Sequence, residues 1–288
     1  MNSYEAVTKA ILAQLEQGIV PWHKPYFSLT GARNYVTGRP YSALNRLLLP
    51  QAGEYLTPKQ AMERKADFAG ARTSTIYFFK MVRRNETVTD PETGEEREVH
   101  DEFPVLKSYN VLHVSACRGL ESRESAPQGG YSGTPDEQAQ VLADSFAEDH
   151  GISVWEGVYH TPSYDAETRT VRMPVRTQYV SLEAWYADLF RGLALAAAHL
   201  LGREEPKDGR ERAREELTAE LASAMMMSEL EMNTADVFDN SAAYIARWHE
   251  TLGNDDHALV WAASRAEKAA RLILGRTEEE SKEAAAAA

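Results

Sequence analysis

The chain holds eight histidines and one cysteine, Cys117. The histidines are His23, His100, His113, His150, His160, His199, His249 and His257, and none stands four residues from another. No helical pair can therefore grip a metal from one face. The remaining constellation is His199, near the end of WYADLFRGLALAAAHLLG, followed by EELTAEL with Glu216 and Glu220 four apart on one helical face. The chemistry it approaches is zinc-assisted hydrolysis. There, two histidines on one helix and a later carboxylate hold the metal, and a Glu between the histidines is the general base. The positions of the first histidine and the base are Leu195 and Ala196 here. Catalytic zinc needs three protein ligands and an open position, and His199 with one Glu supplies two. No catalytic residue, metal or cofactor is therefore expected, with His199, Glu216 and Glu220 as vestigial positions. Zinc would require a rebuilt site that borrows a histidine such as His160 or His249.

A second set of residues suits nucleic acid. The net charge of -13 opposes this at first sight, but residues 1–85 carry 12 Lys or Arg against 5 Asp or Glu, whereas residues 131–288 carry a balance of -14. Single-strand binders combine a positive groove with aromatic platforms on which bases stack. Residues 20–46 interleave both, with Trp22, Lys24, Tyr26, Phe27, Arg33, Tyr35, Arg39, Tyr41 and Arg46, and Lys80, Arg83, Arg84 and Lys107 extend the charge. Asn34 and Asn45 are candidates for bonds to base edges or backbone. The alternative is that Trp22, Tyr35 and Tyr41 belong to the core and the asparagines serve turns. GxGxxG, Walker-type and GxSxG motifs are absent.

The elements that must position these residues follow from periodicity. Residues 4–17 read as an amphipathic helix with Ser3 as cap and Gly18 as stop, rather than as a signal peptide. NYVTGRPY reads as a strand and turn, SALNRLLL as a short helix, and Thr57-Pro58 as a capped helix start. RTSTIYFFKMVRR and FPVLKSYNVLHV read as strands, each a candidate partner of the other across a polar hairpin turning at Pro91–Gly94. Four helices are expected at about 181–201, 208–232, 236–252 and 254–275, preceded by short strands in ISVWEGVYHTPSYDAETRTVRMPV. The expected class is α+β: an N-terminal mixed α/β domain (1–125), a linker (126–137), a mainly helical domain (138–275) and a low-complexity tail (276–288). No run approaches the ~18 apolar residues of a membrane span, and a single cysteine suits a reducing cytoplasm.

In the order and spacing of its motifs the chain resembles the ArdC/TraC-type antirestriction proteins of plasmids and phages. The N-terminal matches are Pro21-Trp22, Asn34-Tyr35, Thr37-Gly38, Tyr41, Asn45, Thr57-Pro58-Lys59-Gln60 and Phe103-Pro104-Val105-Leu106. The C-terminal matches are Tyr164-Asp165, Met173-Pro174, His199-Leu200-Leu201-Gly202, Glu215-Glu216-Leu217 and Ala243-Tyr244-Ile245 with Trp248. The resemblance implies an N-terminal domain that binds single-stranded DNA and a zincin-like metallopeptidase domain. The family's HExxH reads LAAAH here, so His199 matches the second histidine and the first histidine and catalytic Glu have no counterparts. Two functions are expected in competition. One is an anti-defence protein that shields single-stranded DNA in the host bacterial cytoplasm, with an inactive zincin-like domain. The other is an inhibitor that occupies a host restriction or other defence nuclease through its acidic half.

Overall fold

The computed structural model describes residues 2–23, 27–89, 96–122, 134–232 and 242–276, with the side chains of all but residues 81, 83–89, 96–104, 135 and 242–245. Helix α1 (Ser3–Leu15) opens with a reciprocal cap. Asn2 Oδ1 accepts from the Glu5 N–H at 2.9 Å, and Glu5 Oε2 accepts from the Asn2 N–H at 3.0 Å. The expected cap, Ser3, lies one residue too late. Its hydroxyl donates instead to the Leu106 carbonyl at 2.7 Å, which pins the helix to the sheet. Val7, Ile11 and Leu15 form the buried stripe that the periodicity predicts, and Gly18 (φ +74°) adopts the left-handed conformation that follows a helix end.

Strand β1 (Ala32–Asn34), helix α2 (Ala43–Leu48), strand β2 (Gly53–Leu56) and helix α3 (Pro58–Glu63) come next. Helix α3 starts as expected, with Thr57 as cap and Pro58 at the first helical position. Strands β3 (Ser74–Thr89) and β4 (Glu96–His113) form one long antiparallel ribbon, from Ser74↔Val111 to Thr89↔Glu96. The expected hairpin turn lies outside the described residues. The sheet order is β1-β2-β4-β3, which leaves β3 at an edge.

Helix α4 (Pro135–His150), capped by Thr134, was not foreseen. It takes in 135–137 of the expected linker, and 126–133 lie outside the described residues. Two of its buried positions, Ala139 and Ala143, are alanines that give little periodic signal beside Phe146. Strands β5 (Ser153–Gly157), β6 (Ser163–Asp165) and β7 (Thr170–Pro174) make a small sheet in the order β5-β7-β6. Helices α5 (Leu182–Leu200), α6 (Gly209–Glu229), α7 (Ala242–Gly253) and α8 (Ala258–Ile273) realise the four expected ones. Residues 236–241 of the third, and 277–288 of the expected tail, are outside the described residues. No helix among the described residues is long and apolar enough to cross a membrane.

The chain is thus α+β, with an N-terminal sheet region and a helical C-terminal region. Its principal core joins the two. Helix α6 packs against α5 and α8 and is buried from Leu217 to Ser228, including Met225, Met226 and Met227. Val7, Ile11, Trp22 and Phe27 of the first half share that core with Leu221, Trp248 and Leu259 of the second. A separate cluster of Ala32, Tyr41, Leu49, Tyr55, Ile76 and Val111 supports the larger sheet.

Candidate functional site

Two concave regions gather the residues that the sequence singles out. The first lies between α5 and α6. Helix α5 contributes Arg191, Leu195, Ala198 and His199, and α6 contributes Glu215, Glu216 and Ala219, to a cleft of about 390 Å³ closed by Pro162–Tyr164, Arg203 and Arg247. His199 and Glu216 therefore meet in one cleft, as their spacing suggests. Glu220 is buried beneath it. Each carboxylate of α6 here meets a guanidinium: Glu215 pairs with Arg203, Glu216 with Arg247, and Glu220 with Arg191 at 3.3 Å. His23 brings Nε2 to 3.7 Å from the same Glu220. Burial pushes the Glu215 carboxyl above its ordinary range, against the pull of Arg203.

A zincin-type metal does not fit this donor set. Leu195 and the buried Ala196 offer no ligand or base, and the carboxylates that would complete a site are engaged by protein cations. Neither His160 nor His249 lines the cleft, and His249 faces Glu16 at 3.4 Å. Among the described residues, the His, Cys, Asp and Glu groups that converge closely enough to hold a metal are Asp255, Asp256 and His257, away from the cleft. There Asp255 accepts paired bonds from Arg210 and Arg214. Burial works to raise its pKa, but those bonds hold it well below the usual carboxylate range.

The second region is a groove of about 450 Å³ between the 34–41 turn and the β3–β4 ribbon, lined by Asn34, Arg39, Tyr41, Ile76, Phe78 and Tyr109 among others. Side chains two apart on a strand share a face. Ile76, Phe78 and Lys80 therefore share one face with Tyr109 and Lys107, because Ile76 pairs with Tyr109 and Phe78 with Lys107. Phe78 and Tyr109 are each 43% exposed and meet edge to face at 5.9 Å between ring centroids. Tyr41 lies beneath Phe78 at 6.2 Å, and burial raises the pKa of its phenol. Arg39, Lys80 and Lys107 are exposed. Phe78 and Tyr109 were not among the residues expected here. The two adjacent phenylalanines in TIYFFK were the available signal, since a half-buried strand buries only one of two neighbours.

Several expected surface residues are structural instead. Trp22 is fully buried and packs edge to face on Trp248 at 6.0 Å. Arg46 is 1% exposed; its guanidinium donates to the Tyr41 and Leu29 carbonyls and sits 3.6 Å from Glu267. Asn45 is fully buried. Its Nδ2 donates to the Tyr77 carbonyl at 2.9 Å and its Oδ1 accepts from the Tyr77 N–H at 2.7 Å, so it satisfies the edge of β3. Tyr35 is buried beside Leu56 and Ala61, and Arg33 is paired with Glu54 at 3.3 Å. Asn34 holds the turn through Oδ1, which accepts from the Val36 and Thr37 N–H groups at 3.0 Å. Lys24 and the side chains of Arg83 and Arg84 lie outside the described residues.

The fold and these regions define a protein that joins an open mixed sheet to a zincin-like helical half. Residues 1–112 match the family described as the N-terminal domain of anti-restriction factor ArdC, and residues 141–265 match the zincin-like metallopeptidase family. The antirestriction ArdC protein of plasmid R388, in its metal-free crystal structure, superposes with a TM-score of 0.68 at 26% identity, covering 99% of both chains. Its Mn(II)-bound structure shares the fold, with a TM-score of 0.68 at 23% identity over 96% of this chain and 98% of that one. Protein y4eC of Sinorhizobium fredii is 29% identical over 93% of this chain and 90% of its own length. DNA primase TraC of Escherichia coli is 27% identical over 94% of this chain, which spans only 27% of that protein. The chain is thus of the ArdC type, with an ArdC-type N-terminal domain followed by a zincin-like metallopeptidase-type domain.

Proposed function

We propose that this chain binds single-stranded DNA in the groove between the 34–41 turn and the β3–β4 ribbon, and in doing so shields incoming DNA from host restriction. The observation that carries this reading is the pair of exposed rings, Phe78 and Tyr109, set beside the exposed cations Lys80, Lys107 and Arg39. Rings that stack on any base, flanked by charges that contact phosphate, are what a sequence-tolerant single-strand site needs. A duplex buries its base faces and gains nothing from such platforms. The antirestriction action of the R388 relative supports the biological setting.

In this reading the zincin-like half performs no metal-dependent proteolysis. Leu195 and Ala196 stand where a ligand and a base belong, and arginines hold Glu215, Glu216 and Glu220. The same pairing weakens the competing view of an acidic half that mimics DNA toward a nuclease, because these carboxylates face guanidinium groups rather than a partner.

The test is a titration of labelled single-stranded and double-stranded oligonucleotides by fluorescence anisotropy at low salt. Tighter binding of the single strand, weakening steeply as salt rises, is expected because phosphate contacts release counterions. Failure to bind the single strand at low salt sinks the proposal.

A further inference from the structure

We propose that the bound strand does not end in the groove but crosses the edge of β3 and continues onto α8, so that the zincin-like half contributes to the nucleic-acid path. This inference rests on the single-strand reading above. Its first observation is an oddity of β3. Phe78 and Phe79 are consecutive and point to opposite faces, yet they are 43% and 54% exposed. A strand with one face on a core exposes one of two neighbours. Here both rings stand open, one on each side of a sheet edge.

The second observation is continuity. Phe78 lines the aromatic groove and also a cleft of about 230 Å³ on the far side of the edge, which includes Phe79, Ser264 and Lys268. Ser264 and Lys268 in turn line a third cleft of about 240 Å³ with Arg203 and Arg265. The shared residues make one track that leads from the sheet onto α8.

The third observation is charge. The carboxylate in the middle cleft, Glu267, already bonds Arg271 at 2.8 Å, lies 3.6 Å from Arg46, and accepts from the Ala43 N–H at 2.6 Å. Lys268 is exposed and has no ion pair among the described residues. The Arg265 guanidinium stacks on Trp261 at 3.7 Å. A ring followed by the exposed Lys268, with the half-buried Arg265 beyond it, sets an aromatic platform beside a cation on this side of the edge as well.

An added peptide strand fits the same edge less well. Strand addition needs free N–H and C=O groups along β3, and Asn45 occupies both of those on Tyr77. Ring faces and cations remain available, and they suit a single strand.

The experiment compares two single-stranded oligonucleotides, one of about 4 nucleotides and one of about 16, the range that single-strand-binding folds accommodate. Each is titrated against the full chain and its Phe79→Ala and Lys268→Glu variants, both at exposed positions, with thermal melts to confirm folding. Both variants should bind the short oligonucleotide as the unsubstituted chain does. Phe79→Ala should weaken the long one by at least about fivefold, the lower end for a lost stacking platform. Lys268→Glu should weaken it too and lower its salt slope by about 0.7, one phosphate contact. Unchanged affinity of both variants for the long oligonucleotide overturns the proposal and confines the strand to the groove. Loss of self-association in Phe79→Ala, with DNA binding intact, overturns it as well and gives the cleft to a second copy of the chain. If the unsubstituted chain binds neither oligonucleotide, the single-strand reading itself fails.

Discussion

The groove on the sheet and the cleft between α5 and α6 both hold cations, but three of those in the cleft are tied to carboxylates and those on the groove face are not. In the cleft, Arg191, Arg203 and Arg247 are each bound to a glutamate of α6. On the groove face, Arg39, Lys80 and Lys107 stand exposed with no ion pair among the described residues. A paired guanidinium in a cleft is part of the structure, whereas an unpaired cation beside open aromatic rings is available to a phosphate. Local net charge does not separate these cases, and the partner of each cation does.

The largest expected effect breaks a cation of the first kind. Arg46→Ala removes the buried guanidinium that ties α2 to Glu267 of α8. It should cost about 3–5 kcal/mol of stability, the range for a broken buried pair. Urea denaturation measures this, and a variant as stable as the parent would place Arg46 among the surface cations after all. Arg203→Ala comes next, at about 3 kcal/mol, because it leaves Glu215 buried without its partner. The pH dependence has a definite sign. Burial already holds the folded Glu215 pKa above its unfolded value, and removal of Arg203 raises it further. The group's stability contribution is then present at low pH and lost as pH rises through the folded pKa. The deficit of Arg203→Ala should therefore be greater at pH 8 than at about pH 5, and a deficit that grows on acidification would contradict the pairing.

On the groove side, Phe78→Ala and Tyr109→Ala should each cost about 1–3 kcal/mol of single-strand affinity and leave the fold intact. Lys80→Ala and Lys107→Ala should each lower the salt slope by about 0.7 with a smaller loss of affinity. The smallest expected effect is none: zinc or a chelator should not shift the melting temperature of the purified protein. A clear rise with zinc would mean that the arginine pairs yield to a metal.

Much of the fold was legible. The Thr57 cap, the pairing of the two long strands, and the four C-terminal helices follow from local periodicity and cap chemistry. Helix α4 did not, because Ala139 and Ala143 bury little and leave a weak stripe. The gap at Leu195 and Ala196 was legible because a metal site demands fixed residue types at fixed spacing. The groove was legible only in part. Arg39, Lys80 and Lys107 are exposed on its face, but Tyr41, Trp22, Asn45 and Arg46, which read alike in the sequence, are buried. An aromatic and basic stretch reads alike whether its rings and cations face solvent or a core. What buries Arg46 is Glu267 and Met225, both on the other half of the chain. No local pattern reports such partners.

The most direct test of the groove is to photo-cross-link a 5-bromouracil-substituted single strand to the full chain and locate the adducts by mass spectrometry. Adducts at Phe78 or Tyr109, lost on competition with unlabelled single strand, are the predicted result. Specific adducts confined to the α5–α6 cleft, such as at Tyr164, would contradict the assignment of binding to the sheet.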